Sequence, residues 1–169
     1  MSEAVSIPSA EDVLALPAAF VTVAPPEWED GNGHVNVRHF FDLHMRGATA
    51  DLLGRGIDDG YRERTGRSVF SVEHHIRYLG ELHVGDEVSV HLRWVARGDK
   101  VAHGLSLIVN RTTGTVVNLL EVLEAHVDLR TRRACSWAPT LAEVIDDAVE
   151  AHEALPWSAP LAGGIRVRR

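Results

Sequence analysis

The feature that most constrains the fold is a run of alternating apolar and polar residues from about residue 69 to residue 129. Its four segments are VFSVEHHIRYL, VSVHLRWVA, VAHGLSLIVN and TVVNLLEVLEAHVDLR, and they are separated by GELHVGDE, RGDK and RTTG. A period of two places successive side chains on opposite faces of a β-strand. Glycine and aspartate at the breaks are typical of tight turns. The pattern therefore predicts a meander of four antiparallel strands.

One long helix is predicted before these strands. Asn36 stands where an N-cap would stand, and Gly54 and Gly56 lie where the helix should end. Between them, apolar residues recur at helical spacing over roughly four to five turns. This stripe consists of Val37, Phe40, Phe41, His44 or Met45, Ala48 and Leu52.

Shorter elements flank this core. AFVTVAP reads as a first strand that is stopped by Pro25 and Pro26. SAEDVLAL predicts a short helix with Ser9 as a possible cap, and TLAEVIDDAVEAHEAL predicts an amphipathic helix before a C-terminal tail. The order of elements predicts an α+β fold with an antiparallel sheet, as a single domain over residues 1–169. Because one long helix cannot cover both faces of a five-stranded sheet, some sheet surface or edge must be buried another way, and self-association is the simple route.

The composition narrows the classes of partner. The formal net charge of −7 argues against a general nucleic-acid binder, which is usually basic. The N-terminal stretch has no basic region and no long apolar run, so we expect neither a signal peptide nor a membrane span. Cys135 is the only cysteine, which excludes an intrachain disulfide and favours a reducing cytoplasm. Local arginines still allow an anionic ligand.

The stretch DGNGHVN, residues 30–36, carries residue types that suit acyl transfer. The Asp30 carboxylate is able to attack a carbonyl or to activate water, and His34 is able to orient it. Gly31 and Gly33 let the backbone approach a ligand. Asn36 and the first helical turn present unpaired N–H groups that suit an oxyanion. The alternative on spacing alone is a plain turn followed by a capped helix.

Followed by an aromatic-rich helix, DGNGHVN resembles the loop of hotdog-fold acyl-CoA thioesterases of the 4-hydroxybenzoyl-CoA thioesterase type. The family form is D-x-x-G-H-x-N-N, and this chain departs from it at Val37, where the second asparagine would stand. IRYLGEL, VGDEVSV and the order of elements are also similar to that family, over roughly residues 18–135. FSVEHHIRYLGELHVGD and AHVDLRTRRACSWAP are similar to betainyl-CoA thioesterases of the carnitine-degradation type.

The resemblance implies a hotdog fold, in which an antiparallel sheet wraps a long helix. It also implies a homodimer or homotetramer with active sites at the dimer interface, and hydrolysis of a small, betainyl-like acyl-CoA. The family's loop aspartate matches Asp30, as nucleophile or as general base. The implied oxyanion donor is a backbone N–H near Val37, which the valine keeps although it lacks the asparagine side chain.

Two glutamates are further catalytic candidates. Glu121 stands among apolar residues on one predicted strand face, so it is either buried at a site or an interface residue satisfied by arginine. Glu73 shares a polar face with His75 and Arg77, which favours solvated ion pairs, although a hotdog dimer would bring it to the partner's loop. The residues that we expect beside Glu121 on its face are Val117, Leu119, Leu123, Ala125, Val127 and Leu129.

The histidine spacing does not predict a metal site, and we expect no resident cofactor. Coenzyme A would enter as part of the substrate. His74 and His75 point to opposite faces of a strand, and no helical pair among His34, His39 and His44 has i, i+4 spacing. No glycine-rich phosphate loop is present. The cations available for the phosphates of CoA are Arg55, Arg62, Arg64, Arg67, Arg97, Lys100 and Arg111.

A quaternary ammonium acyl group would favour an aromatic wall. Trp28, Phe40, Phe41, Tyr61 and Trp94 are candidates, although Phe40 and Phe41 at helical spacing suit a core equally. Two rival functions are a hotdog hydratase, whose catalytic signature is not found, and a non-catalytic acyl-CoA binding module.

Overall fold

The long helix and the strand-rich half predicted from the sequence are both present in the computed structural model, which describes residues 6–167. The α+β class is confirmed. The helices are α1 (Ala10–Leu14), α2 (Val37–Gly54), α3 (Asp59–Thr65) and α4 (Pro139–Glu153). The strands are β1 (Ala18–Val23), β2 (Arg67–Tyr78), β3 (Glu87–Arg97), β4 (Val101–Asn110), β5 (Thr115–Asp128) and β6 (Arg133–Ala134). Within residues 6–167, no helix is both long and apolar enough to span a bilayer.

All strands form one antiparallel sheet in the order β1-β3-β4-β5-β2, with the short β6 paired to β5. The prediction of a continuous meander is therefore wrong for β2. β3, β4 and β5 follow one another as hairpins, but β2 pairs with β5 at the far edge. Residues 79–86 thus cross the sheet instead of forming a hairpin turn. Alternation of side chains defines the faces of a strand, but it does not define its neighbour.

The helix α2 packs across one face of this sheet. Phe40 and Leu43 pack with Val88, Val90 and Ile108 in a cluster that excludes solvent. The helix approaches β3 closely because residue 47 is glycine: a Cβ there would lie 2.5 Å from Val90 Cγ1. The predicted start of the helix is confirmed, since Asn36 is its N-cap and its side chain accepts from the Arg38 N–H.

A buried histidine fastens α2 to the middle of the sheet. His44 Nδ1 lies 2.7 Å from Ser106 Oγ on β4, and Nε2 lies 2.9 Å from Asn118 Oδ1 on β5. Burial lowers the pKa of His44 to about 4, so the ring is neutral at pH 7. Because an amide oxygen only accepts, Nε2–H donates to Asn118 and Nδ1 accepts from the serine hydroxyl.

The face of the sheet away from α2, here called the outer face, is covered by α1 and by the C-terminal residues 154–167, here called the tail. Val13 packs on Leu105, Leu107 and Leu119. The Arg93 guanidinium donates to the Trp157 carbonyl at 2.6 Å and lies 4.2 Å from the Trp157 ring centroid. The same chain therefore covers this face, which does not need self-association for its burial.

Two β-bulges change the predicted strand faces. One leaves Val117 as an extra residue, so that it joins the cluster under α2 instead of sharing a face with Leu119. The other lies between Ser71 and Glu73 and places the Ser71 hydroxyl beside Glu124. A bulge shifts the alternation by one residue, and a period of two cannot reveal it.

Candidate active site

The loop that precedes α2, residues 29–36 and here called the Asp30 loop, is folded back on itself by backbone hydrogen bonds. The Asp30 N–H donates to the His34 carbonyl at 3.0 Å, and the Gly33 N–H donates to the Asp30 carbonyl at 3.1 Å. Gly33 has φ of 82°, a conformation that glycine adopts without strain. The Val35 N–H donates to the Leu82 carbonyl at 2.7 Å, which ties the loop to the segment that crosses the sheet.

The Asp30 carboxylate is held by this loop and remains partly exposed. Its Oδ1 accepts from the Asn32 N–H at 2.8 Å and lies 3.7 Å from His34 Nδ1. The side chain is 20 % exposed. Within residues 6–167, no group donates to Oδ2. The geometry leaves one carboxylate oxygen available to a water molecule or a substrate carbonyl.

The start of α2, which directly follows the Asp30 loop, provides a free backbone donor within the described residues. The Asn36 side chain accepts from the Arg38 N–H at 3.1 Å, and the Asn36 carbonyl accepts from the His39 N–H at 3.0 Å. Within the described part of the chain, the Val37 N–H has no acceptor. A free N–H at the positive end of an 18-residue helix suits a developing oxyanion.

Four of the predicted site residues are thus brought together by the Asp30 loop and the first turn of α2: Asp30, His34, Asn36 and Val37.

The two predicted glutamates lie away from this loop. Glu73 is exposed on the edge strand β2 opposite Leu123. Glu121 is 2 % exposed on the outer face, where it lies 2.9 Å from His103 Nε2 and accepts from the Ala162 N–H of the tail at 2.7 Å. Their catalytic roles stay predictions.

Exposed apolar side chains occur on α2 directly after the Asp30 loop and on the edge strand β2. On α2 they are Val37 and Phe41, and on β2 and just after it, Val72, Tyr78 and Leu79, each more than 40 % exposed. The Phe41 ring contacts the His74 ring, with centroids 5.4 Å apart. Burial lowers the pKa of His74, so its imidazole adds a neutral ring to these side chains. Exposed apolar side chains on two neighbouring elements indicate a candidate interaction site.

The other aromatic candidates divide by location. Trp28 stacks on His39 at 4.8 Å between ring centroids, next to the Asp30 loop. Phe40 is buried, the Tyr61 hydroxyl lies 2.6 Å from His126 Nε2, and Trp94 Nε1 donates to Asp51 at 3.0 Å. Near the Asp30 loop, the candidate wall is therefore formed by Trp28 and Phe41.

The basic residues proposed to bind the CoA phosphates fall into two groups, those that already form an ion pair within the chain and those that do not. Four of them already form ion pairs with carboxylates of the chain: Arg55, Arg62, Arg97 and Arg111. Within residues 6–167, the other three have no such partner: Arg64, Arg67 and Lys100. An unpaired cation is the better phosphate ligand, since no internal ion pair must first break.

Sequence reasoning missed Glu124, a buried carboxyl on the α2 side of β5. It is 8 % exposed, and burial raises its pKa to about 7 although the Ser71 hydroxyl donates to it at 2.8 Å. The signal was present. Leu120 and Val122 alternate with Glu124 at every second residue and therefore share its strand face. Both faces of the strand thus carry mainly apolar residues, which is typical of a strand buried on both sides.

Residues 24–145 match the family model of the thioesterase-like superfamily. The chain belongs to this superfamily. It is 27% identical over 137 residues to the betainyl-CoA thioesterase of Pseudomonas aeruginosa, covering 81% of this chain and 86% of that protein. It is 32% identical over 120 residues to the L-carnitine dehydrogenase/betainyl-CoA thioesterase of Rhizobium meliloti, covering 70% of this chain but only 23% of that protein.

Solved structures confirm the hotdog fold of this superfamily. A hypothetical protein from Staphylococcus aureus, determined in complex with CoA, superposes with a TM-score of 0.80 at 20% identity, covering 90% of this chain and 97% of that chain. The 1,4-dihydroxy-2-naphthoyl-CoA thioesterase from Synechocystis gives a TM-score of 0.67 at 14% identity, covering 76% and 94%. The predicted fold is confirmed by these structures. The predicted enzyme class, thioester hydrolase, is confirmed at the level of the superfamily by the family model and by the relatives named thioesterases.

Proposed function

We propose that this protein hydrolyses the thioester of a small, betainyl-like acyl-CoA, with Asp30 and the Val37 N–H as its catalytic groups. The observation that carries the proposal is the pairing, on one loop and one helix start, of a carboxylate with a free oxygen and a backbone donor without an acceptor. The relatives named betainyl-CoA thioesterases support the substrate class. Such a substrate would fit a role in carnitine degradation in the cytoplasm.

The chemistry follows from these two groups. Water activated by Asp30, or the Asp30 carboxylate itself, adds to the thioester carbonyl carbon, and the oxygen becomes an oxyanion that accepts from the Val37 N–H. Collapse of the intermediate breaks the carbon–sulfur bond, and CoA leaves as a thiolate. If Asp30 attacked first, water then hydrolyses the mixed anhydride. A thiolate is a good leaving group, so no strong general acid is required. His34, 3.7 Å from the Asp30 carboxylate, orients it.

A second copy of the chain completes the site in this proposal. β2 is an edge strand and carries exposed apolar side chains, among them Val72 and Tyr78. Joining two β2 edges would bury these side chains, pair the free strand edges and close the Asp30 loop off from solvent. We therefore propose a homodimer as the smallest active unit, with a homotetramer as a further assembly.

The substrate class is tested by measuring thiol release from betainyl-CoA and from 3,3-dimethylbutyryl-CoA, which has the same shape without the positive charge. Trp28 and Phe41 near the Asp30 loop would favour the cation, and a cation–π contribution predicts about a tenfold preference in kcat/KM for betainyl-CoA. Equal kcat/KM values for the two substrates would overturn the betainyl assignment but not the proposed thioesterase activity. Tight acyl-CoA binding without thiol release would overturn the hydrolase and indicate a non-catalytic binding module.

A further inference from the structure

A cavity lies at the opposite end of α2 from the Asp30 loop. Its volume is about 450 Å³, and it is lined by the last turn of α2, the start of β1, Leu92 and His152 of α4. At 1.5 Å per helical residue, Asp51 in this cavity is about 21 Å along α2 from Val37. The cavity is therefore separate from the candidate active site, and its volume lies in the range of small-molecule sites.

One wall of this cavity carries a guanidinium with a free edge. Arg55 Nε and Nη2 donate to the Asp51 carboxylate at 2.8 and 3.0 Å, and Trp94 Nε1 donates to the same carboxylate at 3.0 Å. The Arg55 guanidinium also lies 5.2 Å from the Trp94 ring centroid. These contacts hold the guanidinium in place and engage both oxygens of Asp51. Nη1 of Arg55 has no acceptor within residues 6–167.

A neutral imidazole provides a second donor. The Trp94 backbone N–H, next to a bulge in β3, donates to His152 Nδ1 at 2.7 Å. Because Nδ1 accepts, the proton of the neutral ring must lie on Nε2. Burial, followed by the positive charge of Arg55, lowers the pKa of His152, so the ring is neutral at pH 7. In the described part of the chain, Nε2–H has no acceptor.

The remaining wall is apolar and small. It contains Leu92 and Ala50 together with residues 17–19, which are proline and two alanines. We propose that this cavity binds a small organic carboxylate with a short branched or aromatic body. Arg55 Nη1 and His152 Nε2 donate to the carboxylate, and the alanines, proline and leucine contact the body. The proposal goes beyond thioester hydrolysis and does not depend on it.

The test is an NMR titration of the whole chain with isovalerate and with benzoate, read at the Trp94 indole N–H and the His152 ring. We expect saturable shifts with millimolar dissociation constants, and at least tenfold weaker binding of isovaleramide, which lacks the charge, and of inorganic phosphate, which lacks the apolar body. The absence of saturable shifts up to about 50 mM, or equal binding of isovaleramide, would overturn the proposal.

Two glycine variants locate the binding. Gly54 lines the cavity, and a side chain there meets no atom within 4 Å, so Gly54→Leu should fold and fill the space. Gly164→Leu is the control, since residue 164 in the tail is equally open. We expect Gly54→Leu to abolish the shifts and Gly164→Leu to keep them. Unchanged binding in Gly54→Leu would show that the carboxylates bind elsewhere and would refute the site.

Discussion

At the scale of single residues, the candidate site depends on which backbone groups the Asp30 loop leaves free. The Asn36 side chain accepts from Arg38, the Asn36 carbonyl accepts from His39, and the Val37 N–H is left over. The side chain that starts the helix therefore also determines which donor faces the substrate. The family form has an asparagine where this chain has Val37, and only the backbone of that position is needed for this role.

The cap itself is testable by substitution. Asn36→Ala should lower the free energy of unfolding by about 1 kcal/mol, because the Arg38 N–H loses its acceptor. Asn36→Ser should restore most of it, since a serine oxygen caps equally well. Urea unfolding of the three proteins measures the effect. Equal losses in both variants would show that Asn36 acts through contacts other than the cap.

The buried carboxyl of Glu124 makes stability depend on pH in a defined direction. Its pKa is raised to about 7 in the folded state, so the native state holds the proton more tightly than the unfolded state. Stability is therefore lost as the pH rises from about 4.5 to about 7. Glu124→Gln, which still accepts from Ser71, should be more stable than the wild type above pH 7, by an amount on the order of 3 kcal/mol, and no different at pH 4. Parallel stability curves from pH 4 to 8 would contradict this assignment.

The sequence predicted the Asp30 loop well because its chemistry is local. Turn residues, the cap and the first helical turn lie within residues 29–40, and short-range hydrogen bonds determine their geometry. Spacing marks Glu124 as part of an apolar strand face, but its contact with Ser71 depends on a bulge in β2 and its position beneath α2 depends on packing, and both join distant residues. Local chemistry is readable from spacing, whereas burial depends on the assembled fold.

At the scale of elements, the tail has a function in the fold that the sequence did not predict. It runs over the outer face, where the Arg93 and Arg77 guanidinium groups donate to its carbonyls and Glu121 accepts from its Ala162 N–H. Proline and glycine in PWSAPLAGGIRVRR gave it the pattern of a loose tail. Side chains of three strands hold its backbone, and backbone contacts leave little trace in a sequence.

Removing the Glu121 anchor should loosen the tail. Glu121→Leu leaves His103 and the Ala162 N–H without their acceptor, which should cost about 2 kcal/mol of stability and speed proteolysis within residues 154–167. Glu63→Leu, on the exposed side of α3, is the control and should change neither. The contrary result would be a folded Glu121→Leu protein whose tail stays protected from proteolysis and whose kcat falls more than tenfold. That result would contradict the role of Glu121 in holding the tail and would support the catalytic role predicted from sequence.

The order of strands shows a second limit of sequence reasoning at this scale. β3, β4 and β5 were predicted as hairpins because their turns are short, and they are hairpins. The segment between β2 and β3 contains Gly85-Asp86 and looks like another turn, yet it crosses the sheet. Turn residues occur in both kinds of connection, so only the packing of the finished sheet separates them.

At the scale of the whole molecule, the two edges of the sheet differ. β2 carries the exposed Val72, and β1 carries the equally exposed Val23 at the other edge. The rings of His74 and Tyr78 on β2 contact Phe41 and Phe40 in the first turns of α2, which directly follow the Asp30 loop. This asymmetry is the reason for proposing the β2 edge as the dimer contact.

Charge substitution at the two edges tests the dimer. Val72→Lys should convert dimers to monomers and lower activity, because the lysine would be buried at the β2 contact. Val23→Lys is a matched control, since Val72 is 56% exposed and Val23 is 55% exposed. Sedimentation equilibrium and thiol release measure both properties. A dimeric Val72→Lys protein, or a fully active wild-type monomer, would refute the proposed contact.

The catalytic role of Asp30 is tested most directly by the rate of thiol release from the best acyl-CoA substrate. This rate is measured for Asp30→Asn and for Asp42→Asn. Asp42 lies on α2 with its side chain 47% exposed and pairs with Arg46, so its loss controls for charge alone. We expect Asp30→Asn to lower kcat at least about a hundredfold with an unchanged melting temperature, and Asp42→Asn to stay within about twofold of the wild type. A folded Asp30→Asn protein that releases thiol at the wild-type rate would contradict the mechanism.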